Sequence, residues 1–242
     1  MQNKITQAVI LSAGLGTRLR EITGKDIPKV MVSLKGKPLL EHHIEQLKKH
    51  GICDFYINLF YLPEKITQYF GDGSKWDVSI TYATESPEIL GTAGGIKNFE
   101  HFLGEHFFVV YGDVYSELDY TKMTESYFRH QDAIAMTIVG LNDHPHDSDL
   151  VQIDEDLKFI KIYPKPNETL PENWRAMRTT FIFRHDVLSH IPEGEVYTID
   201  HELLPALVER GEHFYGYETS DFIQDIGTPE RYRAVEEYLK KI

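Results

Sequence analysis

The sequence predicts an α/β fold in which a mostly parallel, mixed sheet is flanked by helices. Short apolar runs of four to six residues alternate with amphipathic stretches through the first 130 residues, the pattern of strand–helix–strand units. Several of these runs end in glycine or aspartate turns, where open α/β sheets take their ligands. The 242 residues are 41% hydrophobic and 26% charged, enough for one domain with a substantial core.

The elements follow in order. Residues 8–11 read as a strand leading into the turn Ser12-Ala13-Gly14-Leu15-Gly16, and residues 38–50 as a helix closed by Gly51. Strands at 55–59, 78–83 and 107–111 alternate with helices at 63–70, 93–103 and 120–130. Gly14, Gly91 and Asp113 then fall at or just after strand ends. Beyond residue 132 strands dominate, at 133–139, 150–153, 158–162 and 179–183, and helices return at 201–210 and 229–241. No Pro/Gly/Ser-rich linker divides the chain, so one domain is expected, with two functional halves at 1–132 and 133–242. The sequence carries no hexapeptide repeats towards its end, so no β-helix arm is expected, nor a further domain.

The densest chemistry lies in Val9-Ile10-Leu11-Ser12-Ala13-Gly14-Leu15-Gly16-Thr17-Arg18-Leu19, with Pro28-Lys29 ten residues on. Gly14 and Gly16 can take positive φ and carry no Cβ, so backbone N–H groups can approach phosphate oxygens, with Arg18 and Lys29 to neutralise them. A plain strand-to-helix turn would use the same glycines. The pattern lacks the lysine of G-x-x-x-x-G-K-[ST], and Leu19 stands where a dinucleotide fold has its third glycine, which disfavours an ordinary ATPase loop and a dehydrogenase.

Charge excludes a nucleic-acid partner. The chain carries −13 overall, while residues 1–37 hold seven Lys/Arg against Glu21 and Asp26, a local +5 that leaves −18 on the remainder. A phosphate polymer meets a repulsive surface, whereas a small polyanion finds one basic pocket. No apolar run approaches the ~20 residues of a membrane span, and Met1-Gln2-Asn3-Lys4 leads into a strand, so no membrane partner and a cytoplasmic location are expected. The single cysteine, Cys53, lies in an apolar run and reads as a buried structural thiol. A homodimer is the expected assembly.

The first motif resembles the G-x-G-T-R-L of sugar-1-phosphate nucleotidyltransferases, followed by their P-K-x-M segment, here Pro28-Lys29-Val30-Met31. Further matches run in order: Gly36-Lys37-Pro38-Leu39-Leu40-Glu41, Leu90-Gly91-Thr92-Ala93-Gly94-Gly95, Tyr111-Gly112-Asp113, Pro164-Lys165-Pro166 and Asp225-Ile226-Gly227-Thr228-Pro229-Glu230-Arg231-Tyr232. Tyr111-Gly112-Asp113-Val114 and the loop from Asn142 through Asp143 and His144 to Val151 are most like D-glycero-D-manno-heptose 1-phosphate guanylyltransferases, with mannose-1-phosphate guanylyltransferases as neighbours.

The resemblance implies a Rossmann-like, GT-A-like nucleotidyltransferase fold with a sugar-binding lobe. It implies that an NTP, with GTP expected, reacts with a sugar 1-phosphate, and that Mg²⁺ is the cofactor. Arg18 and Lys29 would sit on phosphate oxygens, and Asp113 and Asp225 would hold the metal. Leu11, Ser12, Ala13, Gly14, Gly16, Thr17, Glu85, Gly91 and Thr92 would meet the nucleotide. Lys165, Gly112, Asp149 and Arg178 would meet the sugar phosphate. No histidine or serine nucleophile is needed, because a phosphomonoester with a second pKa near about 6 is mostly a dianion at neutral pH.

Pro164 replaces the glutamate of E-K-P and Met177-Arg178-Thr179 an Asn-Ala-Gly type segment, both departures touching sugar recognition. The loop from His144 to Asp149 reads as a sugar-covering turn rather than a metal site, and the helix around Tyr127 and Phe128 as core. UTP, CTP or dTTP remain alternatives as donor, and a noncatalytic NDP-sugar-binding regulator remains the alternative class.

Overall fold

The computed structural model describes residues 4–142 and 144–241, so Met1, Gln2 and Asn3 of the predicted N-terminal lead-in and Asp143 of the loop lie outside the described residues. In chain order the strands are β1 (Gln7–Leu11), β2 (Ser33–Leu34), β3 (Lys37–Pro38), β4 (Asp54–Leu59), β5 (Ser79–Thr84), β6 (His106–Tyr111) and β7 (Val114–Ser116). They continue as β8 (Ala135–Gly140), β9 (Leu150–Ile153), β10 (Phe159–Tyr163), β11 (Trp174–Arg184), β12 (Phe214–Glu218) and β13 (Ile223–Asp225). The helices are α1 (Arg20–Thr23), α2 (Leu39–Lys49), α3 (Pro63–Phe70), α4 (Gly91–Lys97), α5 (Tyr120–Arg129), α6 (Leu204–Glu209) and α7 (Pro229–Leu239).

The chain divides into two compact units, each discontinuous in sequence. One comprises residues 6–89, 110–120 and 221–241, the other residues 4–5, 90–109, 121–142 and 144–220.

In the first unit β1, β4 and β5 run parallel, with Ile10 opposite Ile57 and Ile57 opposite Tyr82. Ala8, Val9, Ile10 and Ile57 are sealed from solvent, as expected of parallel strands covered on both faces. Helix α2 buries Leu39, Leu40, His43, Ile44 and Leu47, a stripe of i, i+3 and i+4 spacing, and ends at His50 with Gly51 at φ 78°. Pro63 opens α3 and Pro229 opens α7, where a missing N–H costs nothing. Lys35 and Gly36 both take positive φ, the geometry that turns β2 tightly into β3. Residues 221–239 return to this unit. There β13 pairs antiparallel with β7, placing Asp225 opposite Val114. Helix α7 adds Tyr232, Val235 and Leu239 to a core cluster with Leu19, Val32, Leu34, Leu39, Tyr115 and Ile226.

In the second unit β11 pairs antiparallel with β9 through residues 174–176 and with β8 through residues 176–183. Strand β10 runs antiparallel to β9, and β12 parallel to β8. Phe107, Phe108, Phe181, Phe183 and Phe214 are fully buried.

The elements depart from the sequence expectation in places. The strand expected at 179–183 extends back to Trp174, with its register to β8 shifting between Met177 and Phe181. The helix expected at 93–103 starts at Gly91 and gives way after Lys97 to a 3-10 turn at Glu100–Phe102. The helix expected at 201–210 opens as a π turn, Ile199–Leu203, before α6. Strands β7 and β13 are three residues each, too short for any alternation to register. Tyr127 is buried as expected, while Phe128 is half-buried. Cys53 is half-buried rather than sealed in the core, because it precedes β4. Among the described residues no helix is long and apolar enough to cross a membrane.

Ile226 is fully buried, and its N–H donates to the Asp113 carbonyl at 2.9 Å. Replacing it with alanine is expected to destabilise the protein by about 2–5 kcal/mol, the cost of a cavity in a packed core. Urea unfolding of Ile226→Ala checks this, and an unchanged midpoint would contradict the packing.

Candidate functional site

The turn after β1 is held from below by buried polar contacts. Ser12 N–H donates to Asn58 Oδ1 at 2.7 Å, and Asn58 Nδ2 donates to Glu85 Oε1 at 2.8 Å. Ser12, Asn58 and Glu85 are all buried. One amide side chain thus ties together the segments that follow β1 and β5. Asn58 escaped the sequence reading, although a lone amide in the apolar run of β4 was a signal for it.

The two glycines of the turn differ. Gly16 takes φ 60°, and a Cβ there would stand 2.9 Å from Lys29 Cβ, so glycine is required by both conformation and space. Gly14 is not at positive φ, contrary to the expectation that both glycines serve that way, and an added Cβ would meet nothing within 4 Å. Its contribution is open room beside the backbone. Thr17 begins a 3-10 turn that buries Leu19 and leaves Arg18 exposed.

Gly112 is closely hemmed in on three sides. A Cβ there would lie 2.7 Å from the Leu11 carbonyl oxygen, 2.9 Å from Ser12 Oγ and 2.9 Å from Val30 Cγ1. Its N–H donates to the Leu11 carbonyl at 2.9 Å. This contact sets Asp113 beside the turn, where Asp113 Oδ2 accepts from buried Lys29 Nζ at 2.5 Å. Beneath it His43 is fully buried, and burial pushes its imidazole down to about 4 against a weaker opposing hydrogen bond with the Gly112 backbone.

Asp225, at the end of β13, receives Gly227 N–H at 3.0 Å and Arg231 at 2.9 Å on Oδ1. Asp225 is thus ion-paired with Arg231, six residues on. A Cβ on Gly227 would sit 2.8 Å from Asp225 Oδ1, 3.4 Å from Arg18 Nη2 and 3.7 Å from Lys29 Nζ. Asp225, Arg18 and Lys29 thus gather around one glycine, with Asp113 on Lys29 and Arg231 on Asp225, three positive charges against two negative. That surplus suits a polyanion.

The donor set also fits a hard divalent cation. Asp225 ends β13 and Asp113 immediately precedes β7, its antiparallel neighbour, and Mg²⁺ takes one or two carboxylates and completes its shell with water and phosphate. Among the described residues no group of three or more His, Cys, Asp or Glu is arranged to hold a metal.

The remaining predicted site residues belong to the second unit. Gly91 takes φ 76°, and a Cβ there would stand 2.6 Å from the Tyr197 carbonyl oxygen. That oxygen accepts from Ala93 and Gly94 N–H at 2.9 and 3.0 Å, while Thr92 Oγ1 accepts from Ile199 N–H at 2.8 Å. Asp149 accepts the Lys165 backbone N–H at 3.1 Å and faces Lys165 Nζ at 3.3 Å. Arg178 lies on β11, one residue after Met177, whose N–H donates to the Asp149 carbonyl at 3.0 Å.

The family model described as nucleotidyl transferase matches residues 7–241. The chain belongs to that family. A UTP–glucose-1-phosphate uridylyltransferase from Synechocystis sp. is 32% identical over 97% of this chain and 64% of its own length. A D-glycero-alpha-D-manno-heptose 1-phosphate guanylyltransferase from Campylobacter jejuni is 38% identical over 57% of this chain and 59% of its own. The chain thus spans about three-fifths of the length of these curated relatives. HddC from Yersinia pseudotuberculosis, also solved complexed with GMP-PN, superposes with a TM-score of 0.78 at 28% identity, covering 97% of this chain and 100% of that one. The fold class is that of these nucleotidyltransferases, GT-A-like, a mixed, mostly parallel sheet flanked by helices.

The folded-state pKa of His43 lies below its ordinary 6.5, so the native state favours the neutral ring. Its contribution to stability is complete above about pH 6.5 and is lost as pH falls towards 4. Between pH 7 and pH 5 the stability difference between wild type and His43→Leu is expected to change by about 2 kcal/mol, wild type losing more. Urea titrations at the two pH values measure it, and parallel losses would contradict a neutral buried imidazole.

Proposed function

We propose that this chain transfers a nucleoside monophosphate from GTP to a heptose- or mannose-type sugar 1-phosphate, releasing pyrophosphate. The observation that carries the reading is the gathering of Arg18, Lys29 and Asp225 around Gly227, with Asp113 on Lys29. The guanylyltransferase relative and the GMP-PN complex of HddC support guanine. The uridylyltransferase relative supports UTP as the second reading.

In the proposed reaction an oxygen of the sugar phosphate attacks the α-phosphorus of the triphosphate. A P–O bond forms there, and the bond to the β-phosphate oxygen breaks with its electron pair leaving on pyrophosphate. The attacking group is already ionised, so the protein's work is alignment and charge compensation. Arg18 and Lys29 would bear on the phosphates, and residues 11–17 would offer backbone N–H groups. Glu85, Gly91 and Thr92 would border the nucleoside, while Lys165, Asp149, Arg178 and Gly112 would hold the sugar phosphate. Mg²⁺ held by Asp113 and Asp225 would supply further neutralisation of phosphate charge. The proposed division of labour puts the nucleotide on residues 1–132 and the sugar on residues 133–242 within one domain, Gly112 and Asp225 being the exceptions.

Pyrophosphate release from GTP, UTP, CTP, dTTP and ATP, each with mannose, heptose and glucose 1-phosphates, tests this directly. Preference for a pyrimidine triphosphate rejects the guanylyl reading, and no release with any pair favours an NDP-sugar-binding regulator. Lys29→Ala and Arg18→Ala are each expected to cut kcat/KM by about a hundredfold or more with the fold intact. Asp113→Asn and Asp225→Asn should lose turnover at ordinary Mg²⁺ concentrations, and EDTA should stop the wild type. Near-normal rates in either asparagine variant would reject the two-carboxylate site.

A further inference from the structure

We propose that His201 is a second phosphate-binding side chain of the sugar-phosphate subsite, sharing Asp149 with Lys165. The inference rests on the proposed function and adds a residue that the sequence reading did not select.

Asp149 is the floor of this arrangement. Its side chain is only 13% exposed, whereas those of Lys165 and His201 are each 46% exposed. Lys165 Nζ lies 3.3 Å from Asp149 Oδ2, and His201 Nε2 lies 3.8 Å from Asp149 Oδ1. One poorly accessible carboxylate therefore carries two solvent-facing groups able to donate, one on each oxygen. With the imidazole neutral, Asp149 and Lys165 balance and His201 supplies a donor. With it protonated, the trio carries a net positive charge suited to a phosphate dianion.

The backbone holds His201 where it is. Residues 197–199 are tied to the start of α4 by the Tyr197 carbonyl, which takes two N–H groups, by Tyr197 N–H to the Leu90 carbonyl at 2.9 Å, and by Ile199 N–H to Thr92. The chain then widens into the π turn Ile199–Leu203, a local geometry common at functional sites. Within that turn Glu202 accepts from the Thr198 backbone N–H at 2.7 Å and from the Thr198 hydroxyl, so its carboxylate is engaged four residues back, at the start of the turn. Lys165 is constrained likewise, between Pro164 and Pro166 and by its own N–H on Asp149. Two fixed backbones thus present two donors over one carboxylate, an arrangement that costs side-chain freedom in advance of binding rather than during it.

Calorimetric titration of the full chain tests the inference. The probe is the sugar 1-phosphate with the highest turnover in the donor and acceptor panel, and inorganic phosphate if none turns over, so that failure of the proposed reaction and failure of this inference are read separately. His201→Ala is expected to weaken binding of the probe about tenfold or more while the GTP dissociation constant stays within twofold of wild type. If the alanine variant loses its native circular-dichroism spectrum, His201→Gln, which keeps an N–H without the positive charge, replaces it, with at least threefold weakening expected. Unchanged affinity for the probe, equal weakening of probe and GTP, or no binding of either probe by the wild type would each overturn the assignment.

Discussion

The closeness of Gly112 to the end of β1 is the constraint on which the first unit's charged cluster depends. With the Leu11 oxygen 2.7 Å and Ser12 Oγ 2.9 Å from where a Cβ would stand, a side chain there would force the chain outward. Asp113 would move with it, away from Lys29. The same contact carries through the Asp113 carbonyl to Ile226 N–H, so the β13 end that bears Asp225 is positioned by the next residue along. A single absent methyl group therefore sets the spacing of two carboxylates that stand 112 residues apart in sequence.

Around that constraint the charges are arranged in compensation. Lys29 is buried and meets Asp113, Asp225 meets Arg231, and Arg18 approaches the same glycine from the exposed side. Pairing holds the cations in place without an incoming phosphate, and the surplus positive charge remains for a ligand. Burying Lys29 is tolerable because Asp113 partners it.

Much of this was legible in the sequence. The parallel strands of the first unit and helices α2, α3 and α7 carry strong periodicity and end signals, Pro63, Pro229 and Gly51 among them, and fell within a residue or two of expectation. Strands β7 and β13 did not, because three residues hold no alternation, and their pairing rests on a contact remote in sequence. The site shows the same split. Arg18, Lys29, Asp113 and Asp225 sit in recognisable motifs, and Arg231 stood inside one of them without being selected. Asn58 and His43 act by supporting backbone from beneath. Their signal is a polar residue on an otherwise apolar strand or helix face, which sequence alone reads as a satisfied core residue. His201 had no signal at all, since its meaning comes from a turn whose hydrogen bonds reach back to Thr92.

The first unit is built from three stretches, and the last of them comes late in synthesis. A nascent chain that has reached residue 220 already contains Lys29 and Asp113 but neither Asp225 nor α7. Until residues 221–239 emerge, Leu19, Val32, Leu34, Leu39 and Tyr115 lack the cover that Ile226, Tyr232, Val235 and Leu239 provide. While residues 114–220 are being added, those side chains are without their native cover, so the first unit cannot complete its core before the residues of the second unit have been made.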